Sequence, residues 1–351
     1  MKRFAWLFLL LLVLTAAGGI FYVSRQLRIP GPLQPQREGL ILEIPRGLGA
    51  RDVVRLLADN NVISDSGRYV ALTYIFCTHA YNRLQAGEYL FDRPLTIPEV
   101  VTKLTSGAVY LHKFTVPEGL TVIETAQKWQ EQGFGKAEDF LEKASQSVDL
   151  VRRIDEKATS IEGYLFPETY SFPSHTTSRQ AIEAMVNRFG EMSERLRQTV
   201  TAANWPLNLR DTVILASLIE SEAAQADERP LIASVYLNRL GRKILLQCDP
   251  TVIYALQQAD KYRGTLTLAD LQFHSPYNTY LNPGLPPGPI ANPGYPSLLA
   301  AVQPATTRYF FFVRTSEGRH AFNETLAAHN RAVAAYRNFL KAKKPSSAGR
   351  G

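Results

Sequence analysis

The chain has 351 residues, 45% apolar and 20% charged, which is enough to bury a sizeable core and excludes a wholly disordered polymer. The formal net charge of +7 suits an anionic surface or an acidic polymer. Much of the basic excess sits at the ends, with Lys341, Lys343, Lys344 and Arg350 in a polar tail, so it makes no case for nucleic acid as a partner. Cys77 and Cys248 are too few and too far apart for a disulfide framework or a cysteine metal site, and read as two buried free thiols.

Residues 4–23 carry no charge. As a helix rising ~1.5 Å per residue they span the ~30 Å hydrocarbon core of a bilayer. Lys2 and Arg3 precede the run and, by the positive-inside bias, keep the N-terminus in the cytoplasm and send the rest of the chain across. A cleaved signal peptide is the alternative, since residues 15–19 are small; against it, Ile20 to Val23 prolong the run beyond the usual ~7–15 residue signal core. Residues 1–3 are expected to be cytoplasmic, 4–24 a transmembrane anchor, and 25–39, rich in proline, a linker that lifts the next module off the membrane.

Residues 40–115 read as a small α+β module. A short apolar strand at 40–44 leads through Pro45-Arg46-Gly47-Leu48 into a helical pattern, and the same grammar returns at 114–116 and Pro117-Glu118-Gly119-Leu120. Between the copies, residues 87–91 read as a strand and 97–104 as a helix closed by Gly107.

The remainder, 116–340, is mostly helical, with a long helix over 178–202 whose Ala181, Met185, Phe189, Met192 and Leu196 form a core stripe. Within DTVILASLIESEAA (211–224) two carboxylates interrupt a dense apolar helix. At ~100° per residue, Ile214, Leu215, Leu218 and Ile219 share one arc with Glu222 near its middle, while Glu220 falls almost opposite. Residues two apart on a helix do not face each other, so the two cannot act as a paired acid and base. Glu222 in an apolar setting would have a raised pKa, as a proton-donating acid requires. The competing reading is a helix-end glutamate clear of the core, or one paired with Arg229 or Arg239; Glu220 reads as solvated or structural.

The next helix takes Asp227 as N-cap candidate and ends at Gly241, with Arg239 favourable for its dipole. Asp249 as N-cap with Pro250 behind it explains both residues structurally, and Gln247 and Asp249 are also candidates for sugar contact. The stretch SPYNTYLNPGLPPGPIANPGYP (275–296) is too rich in proline for a helix or central strand. Its Tyr277, Asn278, Thr279, Tyr280, Asn282 and Asn292 supply faces and polar groups suited to sugar rings, so it reads as a wall of an active-site cleft, with a surface connector as the alternative. His320 and His329 lack metal-ligand spacing, and no phosphate loop or nucleophile elbow occurs; no cofactor or metal is expected.

The motifs IEGYLFPETY (161–170), ASLIESEA (216–223), SVYLNRL (234–240), LQCDPTVIYAL (246–256), SPYNTYLNPGLPPGPIANPG (275–294) and FNETLAAHN (322–330) together resemble the YceG-like endolytic murein transglycosylases. The resemblance covers nearly the whole chain. It implies a single-pass inner-membrane protein, a LysM-like module after the anchor, and an extracytoplasmic catalytic domain that cleaves MurNAc-GlcNAc bonds in nascent peptidoglycan, with peptidoglycan synthases as partners. It also implies that the second glutamate of the E-x-E segment, Glu222, is catalytic; Glu220-Ser221 matches the Glu-Ser pair of lysozyme-like transglycosylases as a competing alignment. Gln247, Asp249, Tyr277, Asn278, Thr279 and Tyr280 are the expected substrate contacts. A muramidase using Asp249 or Glu162 as second carboxylate, and a non-catalytic peptidoglycan scaffold, remain as alternatives.

Overall fold

The computed structural model describes residues 2–34 and 39–343, a mixture of helix and strand that is mostly helical. Two compact units form. One runs to Lys113 and takes back Ser171–His175; the other holds Phe114–Tyr170 and the chain from Thr176 onward.

The first unit begins with α1 (Lys2–Arg28). Within it Trp6–Arg28 is long and apolar enough to cross a membrane, with a mean hydropathy of 2.3 and none of the span buried in the protein. There follow β1 (Leu40–Ile44), α2 (Ala50–Asp59), α3 (Arg68–Cys77), β2 (Gly87–Phe91) and α4 (Ile97–Ser106). β1 and β2 pair antiparallel, with Leu40 opposite Phe91 and Ile44 opposite Gly87. Their period-2 alternation turns Leu42, Ile44, Tyr89 and Phe91 into a core with Val53, Leu57, Ile75 and Leu104. α4 carries a Thr96/Glu99 capping box and stops at Gly107, whose φ of 68° only glycine adopts freely.

Residues 25–34 are not a free spacer. The Tyr22 hydroxyl donates to the Ser66 carbonyl and the Gln26 amide to Ser66 Oγ, Leu27 packs on the core, and Gly31 N donates to the Leu95 carbonyl. Leu33 is buried, because apolar side chains beyond the membrane span find the module's core within reach. Residues 35–38 of the expected linker lie outside the described residues. Cys77 corrects the expectation of two buried thiols: it is exposed at the end of α3, while Cys248 is buried.

The chain enters the second unit along β3 (His112–Thr115), continues through α5 (Val122–Glu131), α6 (Ala137–Ser145) and α7 (Val148–Arg152), and returns along β4 (Thr169–Phe172), which pairs with β3. The two copies of the proline-glycine grammar adopt one conformation: strand, turn, helix, with Gly47 at φ 84° and Gly119 at φ 82°.

Then come α8 (Ser178–Thr199), α9 (Leu209–Glu222), α10 (Arg229–Gly241), α11 (Asp249–Gln258), α12 (Tyr295–Val302), the hairpin of β5 (Phe311–Arg314) and β6 (His320–Asn323), and α13 (Leu326–Lys343). α9 is central: every residue from Thr212 to Ile219 is buried, and it packs on α10, α11 and α12. The α8 stripe of Ala181, Met185, Phe189, Met192 and Leu196 is buried as its spacing demands. α13 runs through Lys343, so residues 341–343 are helical where a tail was expected; residues 344–351 lie outside the described residues.

The proline-rich stretch is largely an interior strut. Ile290 N donates to Ser217 Oγ on α9, and the Asn292 carboxamide accepts from Leu165 N and donates to the Leu120 carbonyl. These bonds tie α9 to the IEGYLFPETY segment and to the turn before α5. Gly163 fits there only as glycine, since its φ is 87° and a Cβ would lie 2.5 Å from Pro289.

Candidate active site

Glu222 is the last residue of α9, and it leaves the buried helix where the chain turns extended at Ala223. It opens onto a cavity of about 870 Å³. The end of α9, Leu246, Gln247, Asp249, Tyr280, the β5–β6 hairpin and α13 supply the walls.

The Tyr236 hydroxyl, on α10 and 1% exposed, donates to Glu222 Oε1 at 3.2 Å. The buried Cys248 thiol is a second hydrogen-bonding neighbour. Burial and then the charge of Asp249 push the Glu222 carboxyl up to about 7, while the bonds from Cys248 and Tyr236 pull the other way. A carboxylic acid in that range still holds its proton near neutral pH and releases it readily.

Asp249 is the first residue of α11 rather than its N-cap, a place taken by Cys248. Its carboxylate is therefore available to Tyr280, whose hydroxyl donates to Oδ1 at 2.5 Å. Similarly, Asp227 does not cap α10, which starts at Arg229; Asp227 pairs with Arg319 instead.

Gln247 lines the cavity in a left-handed conformation, φ 51°, which costs a non-glycine residue about 1 kcal/mol or more and persists only where neighbours enforce it. Its N–H donates to the Thr279 carbonyl. Arg239, buried, donates to the carbonyls of Leu245 and Leu246 and to Gln247 Oε1. Arg239 thus moulds this loop, beyond any service to the dipole of α10, and does not pair with Glu222.

Arg229 does not pair with Glu222 either. It pairs at 2.9 Å with Glu220, whose side chain is 6% exposed and whose other oxygen accepts from Gly294 N. Glu220 is a buried brace, not a solvated group.

Of the expected sugar contacts, Gln247, Asp249 and Tyr280 line the Glu222 cavity. Asn278 and Thr279 do not, which corrects the expectation for them. The Asn278 amide is consumed by the carbonyls of Leu271 and Phe273, and Thr279 Oγ1 bonds Thr251 and Cys248 N, both residues being fully buried. Tyr277 packs on Tyr254 with ring centroids 4.9 Å apart and lines a different cavity, of about 760 Å³. Glu162 lies in that second cavity, accepting from Val122 N, so it is no second carboxylate for Glu222. Burial pushes it up to about 8.

The sequence reading missed Tyr236, Cys248 and the hairpin wall with Phe312 and His320, although SVYLNRL and LQCDPTVIYAL carried the first two. Among the described residues no three His, Cys, Asp or Glu side chains come together as a metal-ligand group.

The YceG-like family matches residues 42–335. The endolytic murein transglycosylase of Bacillus subtilis is 32% identical, the match covering 91% of this chain and 90% of that protein. Its namesake from Streptococcus pneumoniae D39 is 28% identical over 96% of this chain and 66% of its own length. A crystal structure of a yceG-like protein from Listeria monocytogenes superposes with a TM-score of 0.57 at 31% identity, covering 84% of this chain and 99% of that one. The ordered motifs, the extent of the family match and these relatives agree: the chain belongs to the YceG-like family.

Proposed function

We propose that this chain is an endolytic peptidoglycan lytic transglycosylase, cleaving the bond between N-acetylmuramic acid and N-acetylglucosamine within nascent strands and so terminating or trimming their growth. The observation that carries the reading is the Glu222 carboxyl, held up to about 7 in a cavity of sugar-binding size. The names of the relatives supply the substrate class.

Protonated Glu222 gives its proton to the glycosidic oxygen as the C1–O bond breaks. The muramic acid C6 hydroxyl attacks C1, and the Glu222 carboxylate takes the hydroxyl proton. A 1,6-anhydro ring forms, no water is consumed, and Glu222 is restored. The Tyr236 hydroxyl favours the charged form that appears midway. Asp249 favours the protonated form before it. Gln247 and Tyr280, on walls fixed by Arg239 and Asp249, are placed to orient the sugar.

A muramidase is the second reading, favoured by Asp249 lying close enough to perturb Glu222, because hydrolysis commonly employs two carboxylates. Mass spectrometry of products from uncrosslinked glycan strands separates the two. Anhydro ends made by the wild type and not by Glu222→Gln support the transglycosylase, and reducing ends would replace it with the muramidase.

Further parts of the proposal concern placement. The apolar span Trp6–Arg28 with Lys2 and Arg3 before it supports a single-pass anchor in the cytoplasmic membrane with the second unit outside the cytoplasm. The strand-helix-helix-strand order of residues 40–91 supports a LysM-like module. Synthases that make the strands are the fitting partners for an enzyme acting on them as they emerge.

A further inference from the structure

The proposed chemistry makes no use of His320. It opens β6, its side chain is 8% exposed, and it lines the cavity that holds Glu222. Glu228, in the turn before α10 and 1% exposed, accepts the His320 backbone N–H at 2.7 Å with Oε1 and meets Nδ1 at 2.8 Å with Oε2. A carboxylate only accepts, so Nδ1 carries the proton, and in the neutral ring Nε2 is the bare acceptor.

The ring is also clamped. Phe312 stands edge-on to it at 5.4 Å and Phe322 flanks it at 6.3 Å. Phe312 is in turn edge-on to Tyr236 at 5.9 Å, so one aromatic ring separates the imidazole from the donor that serves Glu222. Among the described residues Nε2 has no hydrogen-bond partner, and with Nδ1 engaged it is the nitrogen left for a ligand in the cavity.

We infer that His320 is a second substrate-contacting residue of this cavity: Glu228 fixes its tautomer and orientation, and Nε2 accepts a hydrogen bond from a hydroxyl or acetamido N–H of the bound glycan. The inference rests on the glycan substrate proposed above and adds a contact from the hairpin wall of the cavity. It gives the buried Glu228 a purpose that stapling a turn to a hairpin does not require, since the backbone N–H of His320 alone would serve for that.

Two substitutions separate contact from scaffold. His320→Asn keeps an amide N–H where Nδ1–H stood, and so keeps the bond to Glu228, but has nothing at the Nε2 position; His320→Gln restores a polar group near it. With uncrosslinked strands, His320→Asn is expected to lose about tenfold or more in kcat/KM at unchanged Tm, and His320→Gln to recover part of it. Long-range 1H–15N spectra of the Glu222→Gln protein are expected to show Nδ1 protonated and the His320 Nε2 resonance displaced when strands are added. His320→Asn with wild-type kcat/KM, or an Nε2 resonance that strands leave unmoved, overturns the inference. A wild type that cleaves no strands sinks the proposed reaction instead, and the Nε2 resonance then still decides whether His320 meets glycan.

Discussion

Tyr236 and Glu222 meet through a single 3.2 Å hydrogen bond between α10 and the end of α9, with the tyrosine hydroxyl as donor and the carboxyl as acceptor. The bond is stronger to the carboxylate than to the acid, so it lowers a pKa that burial has raised to about 7. Tyr236→Phe removes it. Glu222 then keeps its proton to higher pH, and the alkaline limb of kcat/KM moves up, while kcat falls about tenfold because the carboxylate formed midway loses its donor. A limb that stays put or moves down would contradict the assignment.

Asp249 works in the opposite sense, since its negative charge raises the Glu222 pKa. Asp249→Asn should shift the alkaline limb to lower pH while leaving anhydro products as the outcome. If product chemistry vanished with Asp249 while Glu222 stayed intact, Asp249 would be a second reacting carboxylate. Two variants that displace one limb in opposite directions are a sharper check than either loss of rate.

Glu220 and Glu222 stand two residues apart and should fail differently. Glu220→Ala leaves Arg229, whose side chain is 13% exposed, with Ser297 Oγ and the more distant Glu118 carboxylate at 3.7 Å, and should cost about 1–3 kcal/mol of stability. The alkaline limb of the folded fraction should stay in place. Glu222→Gln should abolish turnover with little loss of Tm. Thermal denaturation beside the strand assay reads both, and a Glu220→Ala protein as stable as wild type would remove the brace.

Glu162 provides a pH test away from the reaction. Its folded pKa is raised to about 8, against about 4.3 in an unfolded chain, so between those values the folded state binds the extra proton. Stability therefore falls as pH rises from about 4.3 to about 8. Glu162→Gln should match the wild-type Tm at the acid end and exceed it above pH 8, by about 2–4 °C for each kcal/mol recovered. Strand cleavage should persist, because Glu162 lines the other cavity. A Tm difference that ignores pH would show that Glu162 is ionised throughout.

The local grammar of the chain was readable where short-range physics decides. The capping of α4, the Gly107 stop and the repeated turns at Gly47 and Gly119 follow from residues a few positions apart. Helical phase separates Glu222 from Glu220, but it gives each its surroundings only on a helix with one wet side. α9 is buried all round, and Arg229 from the next helix receives Glu220, a partner that helical phase cannot reveal. Asn278 and Asn292 mark the same limit: an amide in a proline-rich stretch serves sugar hydroxyls or stranded carbonyls equally well, and only the folded path shows that it serves carbonyls. The hairpin wall is not legible locally, because the tie that fixes His320 runs to Glu228, 92 residues away.

The bonds from Tyr22 and Gln26 to Ser66 make α1 a handle rather than a leash. The uncharged run of residues 4–23, at ~1.5 Å each, rises ~30 Å, the depth of the hydrocarbon layer it is proposed to cross. A span that matches its bilayer has no excess length to shed by leaning. With the end beyond it bonded to the turn before α3, the direction of the proposed span passes into residues 40–113 without a free joint.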